Sequence, residues 1–270
     1  MNNNIFPKVS IVIPVYNGSN YLREAIDSAL GQTYKNIEVL VINDGSNDNG
    51  VTKEIALSYG TRIRYFEKVN GGVATALNLG IREMRGEYFS WLSHDDLYNE
   101  KRIEEDIRLL KKNNCKITYS KLIIINWKGV ILKELIPEIT KVKCPYDVMK
   151  LSGINMCSMT IHKSCFKKVG LFNEKNKTIQ DVEMSLLLAK YYKFYYNSNA
   201  ITYCRDHTQR GSYLLKKEHY DDSMYMCDFI KNKFTLNEFF SIDSSLLNQK
   251  QIASYYIKLA DVYNNFQGYK

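Results

Sequence analysis

No two glycines lie two positions apart in the 270 residues, so the G-x-G-x-x-G turn that cradles a dinucleotide pyrophosphate is absent. Gly45 and Gly50 have P-loop spacing, but Val51 follows where a lysine must reach the terminal phosphates. H-E-x-x-H and G-x-S-x-G are missing too, which removes the zinc-protease helix and the hydrolase elbow. The six cysteines include no C-x-x-C pair, so neither a zinc knuckle nor a dithiol redox motif is signalled. A chain this long needs no disulfide framework, and reduced thiols are expected. Apolar runs stop at four residues, as in Leu122 to Ile125, far short of the roughly 20 that span a bilayer. Met1 to Pro7 lack the basic-then-apolar order of a secretory signal. A soluble, cytoplasmic protein is expected.

The composition is ordinary, 45% hydrophobic and 24% charged, enough for one α/β core with an appendage. Lys and Arg outnumber Asp and Glu by 37 to 29, and the net charge of +8 attracts anions. The basic residues come in ones and twos (Lys111-Lys112, Lys167-Lys168, Lys216-Lys217). A nucleic-acid arm is therefore not expected, whereas phosphate-bearing small molecules and acidic membrane surfaces fit.

The first hundred residues alternate strand and helix. Val9 to Ile13 is a β-branched run stopped by Pro14. Leu22, Ala25, Ile26, Ala29 and Leu30 then mark one face of a helix. Strands follow at Ile37 to Ile42, Ile63 to Phe66 and Tyr88 to Leu92, with helices over Thr52 to Tyr59 and Val73 to Met84. This rhythm predicts a mostly parallel, Rossmann-like sheet flanked by helices. Ligands bind at the carboxyl ends of such strands. There the chain has Tyr16-Asn17, Asp44-Gly45-Ser46, Asn70-Gly71-Gly72 and His94-Asp95-Asp96. Four polar clusters at four strand ends outline a nucleotide-sized crevice. Asp95 and Asp96 supply hard oxygens suited to Mg²⁺ or Mn²⁺ on phosphates, although an Asp pair there could equally cap a helix.

Val9-Ser10-Ile11-Val12-Ile13-Pro14-Val15-Tyr16-Asn17, Gln32-Thr33-Tyr34 and Ile42-Asn43-Asp44-Gly45-Ser46-Asn47-Asp48 together resemble the opening of family 2 inverting glycosyltransferases. Asn70-Gly71-Gly72, Asn78-Leu79-Gly80-Ile81 and Gly86-Glu87-Tyr88 continue the likeness in order, and Ser93-His94-Asp95-Asp96 falls at the metal-binding Asp-x-Asp segment. Gly170 to Glu174 and Gln180-Asp181-Val182-Glu183 resemble the approach to the catalytic base, and Arg205 to Gln209 an Arg- and His-bearing segment near the end of the catalytic domain. The likeness runs over roughly residues 7 to 212.

The resemblance implies the A-type nucleotide-sugar fold and a metal-dependent inverting transfer from a UDP-linked sugar to a glycan or lipid-linked hydroxyl. It implies donor contacts from Pro14, Tyr16, Asn17, Asp44, Gly45, Ser46, Asn70, Gly71, Asn78, His94 and Asp95, a Mn²⁺ or Mg²⁺ ion on Asp95, Asp96 and His207, and Asp181 as the base. Glu183, which cannot face the same spot on the helix as Asp181, would orient or solvate. Three departures stand out. Ser93 replaces the first Asp of Asp-x-Asp, Gln180 the Glu that commonly precedes the base, and Leu77 and Leu187 stand where relatives often carry Arg.

The expected organisation is a donor half (1–100), an acceptor half (101–212) and a helical extension (213–270). The second half is predicted to hold a helix over Lys101 to Lys111, a β-rich stretch from Lys116 to Asn126 and a hairpin through Trp127-Lys128-Gly129 into Val130 to Leu135. Trp91 and Trp127 could each stack on a sugar or fill the core. Helices are predicted at Tyr213 to Ile230 and Ser244 to Phe266. The stripe Ile252, Tyr255, Tyr256, Leu259 and Tyr263 is expected to pack against the catalytic domain, with peripheral membrane or homo-oligomer contact the sharper alternative. The chain ends without a Pro/Gly linker, as a fragment of a longer protein could. Two other functions compete. A sugar-phosphate nucleotidyltransferase needs a Gly-rich first loop with Arg and Lys, which Tyr16-Asn17-Gly18-Ser19 is not; a non-catalytic nucleotide-sugar or glycan-binding module rests on Ser93 alone.

Overall fold

The computed structural model describes residues 6–150, 155–210 and 214–267. The expected boundary near Ser212 and helix start at Tyr213 lie outside them. Among the described residues one sheet of ten strands, numbered along the chain, organises the fold: eight run in the order β3-β2-β1-β4-β9-β6-β10-β5, with β7 paired to β6 and β8 to β10 off that path. Its first part is β1 (Val9–Val15), β2 (Ile37–Asn43), β3 (Arg64–Glu67) and β4 (Tyr88–Trp91), all parallel. The helices between them are α1 (Leu22–Leu30), α2 (Val51–Leu57) and α3 (Val73–Glu83). Parallel neighbours joined through helices place every carboxyl end on one edge, where β1, β2, β3 and β4 deliver their polar loops.

The second part adds β5 (Leu97–Tyr98), α4 (Arg102–Lys112), β6 (Ile117–Ile125), β7 (Ile131–Leu135), β8 (Lys141–Val142), α5 (Pro145–Lys150), β9 (Met159–His162), α6 (Ser164–Val169), α7 (Gln180–Tyr191) and β10 (Phe194–Arg205). β9 runs antiparallel between β4 and β6; β10 is parallel to β6. Six strands share one direction, and β5, β7, β8 and β9 oppose them. The expected α/β class and mostly parallel strand direction are present. β9 and β10 were not legible beforehand: β9 has only four residues, and Asn197-Ser198-Asn199 interrupts β10 where its register on β6 shifts.

Alternation along β1 sends side chains to both faces. Val9, Ile11, Ile13 and Val15 join α1, α4 and the back of β2 in one core, while Val12 faces α3, α7 and the C-terminal helices in the other. The α1 stripe buries Leu22, Ala25, Ile26 and Ala29 as predicted. Under α4, the fully buried Arg102 and Asp106 lie 3.7 Å apart. Ser90 and Thr202 accept from Arg102, and Thr160 and Asn197 donate to Asp106, so neither charge lacks partners.

The extension forms α8 (Lys216–Lys233), α9 (Leu236–Phe240) and α10 (Gln249–Gln267). Ser244 to Leu246, predicted as the start of the last helix, forms a separate 3-10 turn. Met226, Ile230, Phe239, Phe240, Val262 and Phe266 merge with the α7-side core, joined by Tyr255, Leu259 and Tyr263 of the predicted stripe. Tyr256 faces solvent. No helix among the described residues is long and apolar enough to cross a membrane.

Gly80 brings α3 against the middle of the sheet: a Cβ there would lie 2.4 Å from Val12 Cγ1. Gly80→Ala should therefore lower the unfolding free energy by about 1–3 kcal/mol through overpacking, despite alanine's better helix propensity. Urea unfolding checks this, and an unchanged midpoint would contradict the close approach.

Candidate active site

The loops after β1 and β2 are stitched together. The Asn17 side chain donates to Asn47 Oδ1 at 2.7 Å, and the Asn47 N–H donates back to Asn17 Oδ1 at 2.8 Å. The Asn17 N–H donates to Ser46 Oγ, and that hydroxyl donates to Asn43 Oδ1. Asn17 adopts φ +49°, which asparagine tolerates better than most residues. Tyr16 is exposed beside this pair. Pro14 sits buried in β1 opposite Ile42, inside the strand rather than in the loop after it.

Asp44 lies below the loop after β3. Its carboxylate accepts from the Gly71 N–H at 3.1 Å and the Gly72 N–H at 2.7 Å, and Lys68 Nζ and the Asn70 amide also donate to it. At 3% exposure, Asp44 shapes the Asn70-Gly71-Gly72 loop with these bonds. Gly45 makes the arrangement possible: φ is +68°, and a Cβ would stand 2.5 Å from the Asn70 nitrogen. Asn78 is also buried. Its amide exchanges bonds of 2.9 Å with the backbone of Phe172 and donates to Glu174, so it braces the loop before α7.

After β4 the chain turns through Ser93, His94, Asp95 and Asp96. His94 packs on Gly18, where a Cβ would come within 2.6 Å of the ring. Burial lowers its pKa. Asp95 and Asp96, adjacent in sequence, have opposite fates. Burial disfavours ionisation of Asp95, but the His207 hydrogen bond and the nearby imidazoles hold its pKa below the usual range. Asp95 Oδ2 and His207 Nε2 are 2.9 Å apart. Asp96 points inward and accepts the Arg205 N–H at 2.9 Å. Burial, then the charge of Asp95, pushes it up to about 8.

Arg205 gathers the parts. Its guanidinium, almost fully buried, donates to the Asp95 carbonyl at 3.0 Å, the Trp127 carbonyl at 3.2 Å and Glu24 at 2.7 Å. It also lies 4.3 Å over the Tyr21 ring, whose centroid is 5.1 Å from that of His207. Trp127, at 60% exposure, stands at this junction, whereas Trp91 is core.

Asp181 is the second residue of α7 and accepts the Val182 N–H. Burial raises it to about 6. The same charges converge on one thiol. Cys157, bonded to Ser93 Oγ at 3.0 Å, is raised first by its own burial and then by Asp96, Asp95 and Asp181. Asp181 and the carboxylates after β4 thus lie near enough to one thiol for each to act on it. Beside Asp181, Gln180 is 5% exposed, and its Oε1 has no partner among the described residues. Glu183 turns away and accepts from Asn173, Asn176 and Tyr225.

Asp95 Oδ2 and His207 Nε2 occupy each other, with side chains 14% and 8% exposed, and among the described residues no cluster of three or more His, Cys, Asp or Glu could hold a metal ion. Freed from their mutual bond, this oxygen and nitrogen would fit a hard cation that takes its remaining ligands from phosphate and water. Sequence reasoning did not find the knot at Arg205, Tyr21 and Glu24. Its members lie up to 184 residues apart, and only Arg205 belonged to a noticed motif.

Against known proteins, the family model described as Glycosyl transferase family 2 matches residues 10–169. An uncharacterized glycosyltransferase of Rickettsia felis is 41% identical over 245 residues, 88% of this chain and 40% of that protein. One from Rickettsia prowazekii is 42% identical over 254 residues, 91% of this chain and 78% of its own length. The chain thus spans about two fifths of the R. felis relative. Among solved structures, Staphylococcus aureus TarS 1–349 in complex with UDP-GlcNAc superposes with a TM-score of 0.67 at 16% identity, over 94% of this chain and 80% of that one.

The pKa of Asp181 has a consequence for stability. A carboxyl near 3.9 when unfolded and about 6 when folded binds its proton more tightly in the native state. Its contribution therefore falls as pH rises from 4 through 6. Asp181→Asn should match the parent at pH 4 and exceed it at pH 8 by roughly 2 kcal/mol. Thermal melts at both pH values check this, and an equal offset at both would refute the buried-carboxyl account.

Proposed function

The chain belongs to glycosyl transferase family 2, and from that premise we propose that it moves a sugar from a UDP-sugar to a hydroxyl of a glycan or lipid-linked acceptor, inverting the anomeric carbon. The observation that carries this reading is the Asp95–His207 pair, 2.9 Å apart after β4, with Asp181 in the first turn of α7 near enough to act on the same Cys157 thiol as Asp95. It joins a candidate base to a carboxylate–imidazole pair suited to a diphosphate. TarS, whose complexes hold UDP and UDP-GlcNAc, supports the donor class by its similar fold.

In this reading the donor half supplies Tyr16, Asn17, Ser46, Gly71 and the loop ordered by Asp44, and the base and ribose lie along them. Asp95 and His207 would hold a divalent cation, Mn²⁺ or Mg²⁺, whose charge offsets that of the departing diphosphate. Asp96, already bonded to Arg205, braces this segment from behind. Asp181 removes the acceptor proton as the acceptor oxygen bonds to the anomeric carbon. The bond from that carbon to the diphosphate breaks on the opposite face, and UDP leaves. A carboxyl at about 6 is largely ionised near neutral pH yet more basic than a solvated one.

Asp181→Asn should cut transfer by about 10²–10⁴-fold while UDP still binds with near-parental affinity by calorimetry. Full activity in that variant would remove Asp181 as the base; absence of UDP-sugar turnover in the parent would favour a binding module. Asp95→Asn and His207→Ala should each abolish the Mn²⁺-dependent rise in melting temperature with UDP, which binding to the native state otherwise produces. A rise kept in both would move the cation elsewhere.

A further inference from the structure

The loop between Asn173 and Ile179, which leads into α7 and Asp181, makes most of its side-chain bonds to other parts of the chain. Asp222, on α8, places one oxygen, Oδ2, against three donors: the Lys177 N–H at 2.9 Å, the Thr178 N–H at 2.7 Å and the Thr178 hydroxyl at 2.8 Å. One turn earlier on α8, His219 Nδ1 meets the same hydroxyl at 3.2 Å. One turn later, Tyr225 reaches Glu183 and accepts from Asn173. Positions 219, 222 and 225 share one face of α8, and that face is laid along the loop. At the far side of the loop, Lys177 Nζ donates to the Gly71 carbonyl at 3.3 Å. The loop therefore spans from α8 to the donor-side turn that Asp44 orders.

The N-terminus of α7 lacks a side-chain cap at Ile179. Besides the local bonds of Asn176 to Ile179 and Glu183, what holds the segment before this helix comes from Asp222, 44 residues beyond Thr178 and, like the loop itself, outside the residues matched by the family model. Three hydrogen bonds to one carboxylate oxygen are a costly arrangement to break, because each charge-assisted bond is stronger than a neutral one. Loops without such ties open at low free energy.

We propose that the C-terminal extension is part of the catalytic apparatus, with Asp222 as a positioning residue that holds the 173–179 loop so that Asp181 faces the acceptor and Lys177 closes on the donor-side turn. This rests on Asp181 being the base. The extension then does more than cover apolar surface: its polar face sets the geometry of the chemical step.

The test uses the full chain with UDP-GlcNAc and MnCl₂, reading UDP release, and compares Asp222→Ala with Asp222→Asn. The asparagine carbonyl can still accept at the Oδ2 position, whereas alanine cannot. Asp222→Ala should lower kcat by about tenfold or more with KM for UDP-GlcNAc within about twofold, because misplacing a reacting group costs rate rather than binding. Asp222→Asn should recover most of the loss. Hydrogen exchange at the Lys177 and Thr178 amides should accelerate at least tenfold in Asp222→Ala, with the β1 amides unchanged. Unchanged exchange, an unchanged kcat, or a loss that Asp222→Asn does not rescue would each overturn the proposal. If Asp222→Ala does not fold, Thr178→Ala removes one of the three bonds and should show the same changes at smaller size. A parent that releases no UDP would exclude UDP-GlcNAc as its donor, and the exchange rates would still decide whether Asp222 holds the loop.

Discussion

The buried guanidinium of Arg205 is the tie on which the site depends. It closes β10, the last strand of the chain, onto α1 through Glu24, onto the β4 loop through the Asp95 carbonyl, and onto the β7 hairpin through the Trp127 carbonyl. The backbone N–H of Arg205 donates to Asp96. The guanidinium is 2% exposed while Glu24 is 54% exposed, so the two carbonyl bonds, rather than the ion pair alone, keep this cation solvated inside the fold. With Arg205 in place, the following two residues must carry His207 back over Tyr21 and against Asp95.

Around that tie, three carboxylates that act on one thiol have different protonation behaviour. Asp95 is held ionised by imidazole, Asp96 is kept protonated near neutral pH by burial and by Asp95, and Asp181 lies between them at about 6. Separation of pKa values by environment is what allows acid and base roles to coexist in one site. Asp44 illustrates the opposite use of a carboxylate. Saturated by loop N–H groups and Lys68, it acts as a scaffold for the glycines above it.

Much of this was legible in the linear chain. The β-branched runs, the α1 stripe and the polar clusters after β1 to β4 were placed nearly as they stand, because local periodicity and turn chemistry specify them. The motifs also pointed to family 2, to which the chain belongs. Less legible was the second half of the sheet. β9 is four residues long, and β10 is interrupted by Asn197-Ser198-Asn199, so their strand character comes from pairing with β4 and β6 rather than from pattern. Asn78 shows the same limit at the level of one side chain. It belongs to a donor-like motif, yet its amide bonds to Phe172, 94 residues away.

By itself, the sequence determined which residue types could do chemistry and at which strand ends they would emerge, since strand and helix periods are local properties. Tertiary structure alone decided which of two adjacent aspartates faces the crevice and which is neutralised beneath it, whether Asp44 stays free or becomes a scaffold, and that α8 grips the loop before Asp181. Those outcomes depend on burial and on partners tens to nearly two hundred residues distant, and neither a charge's solvation nor its distant neighbour is written in the residues beside it.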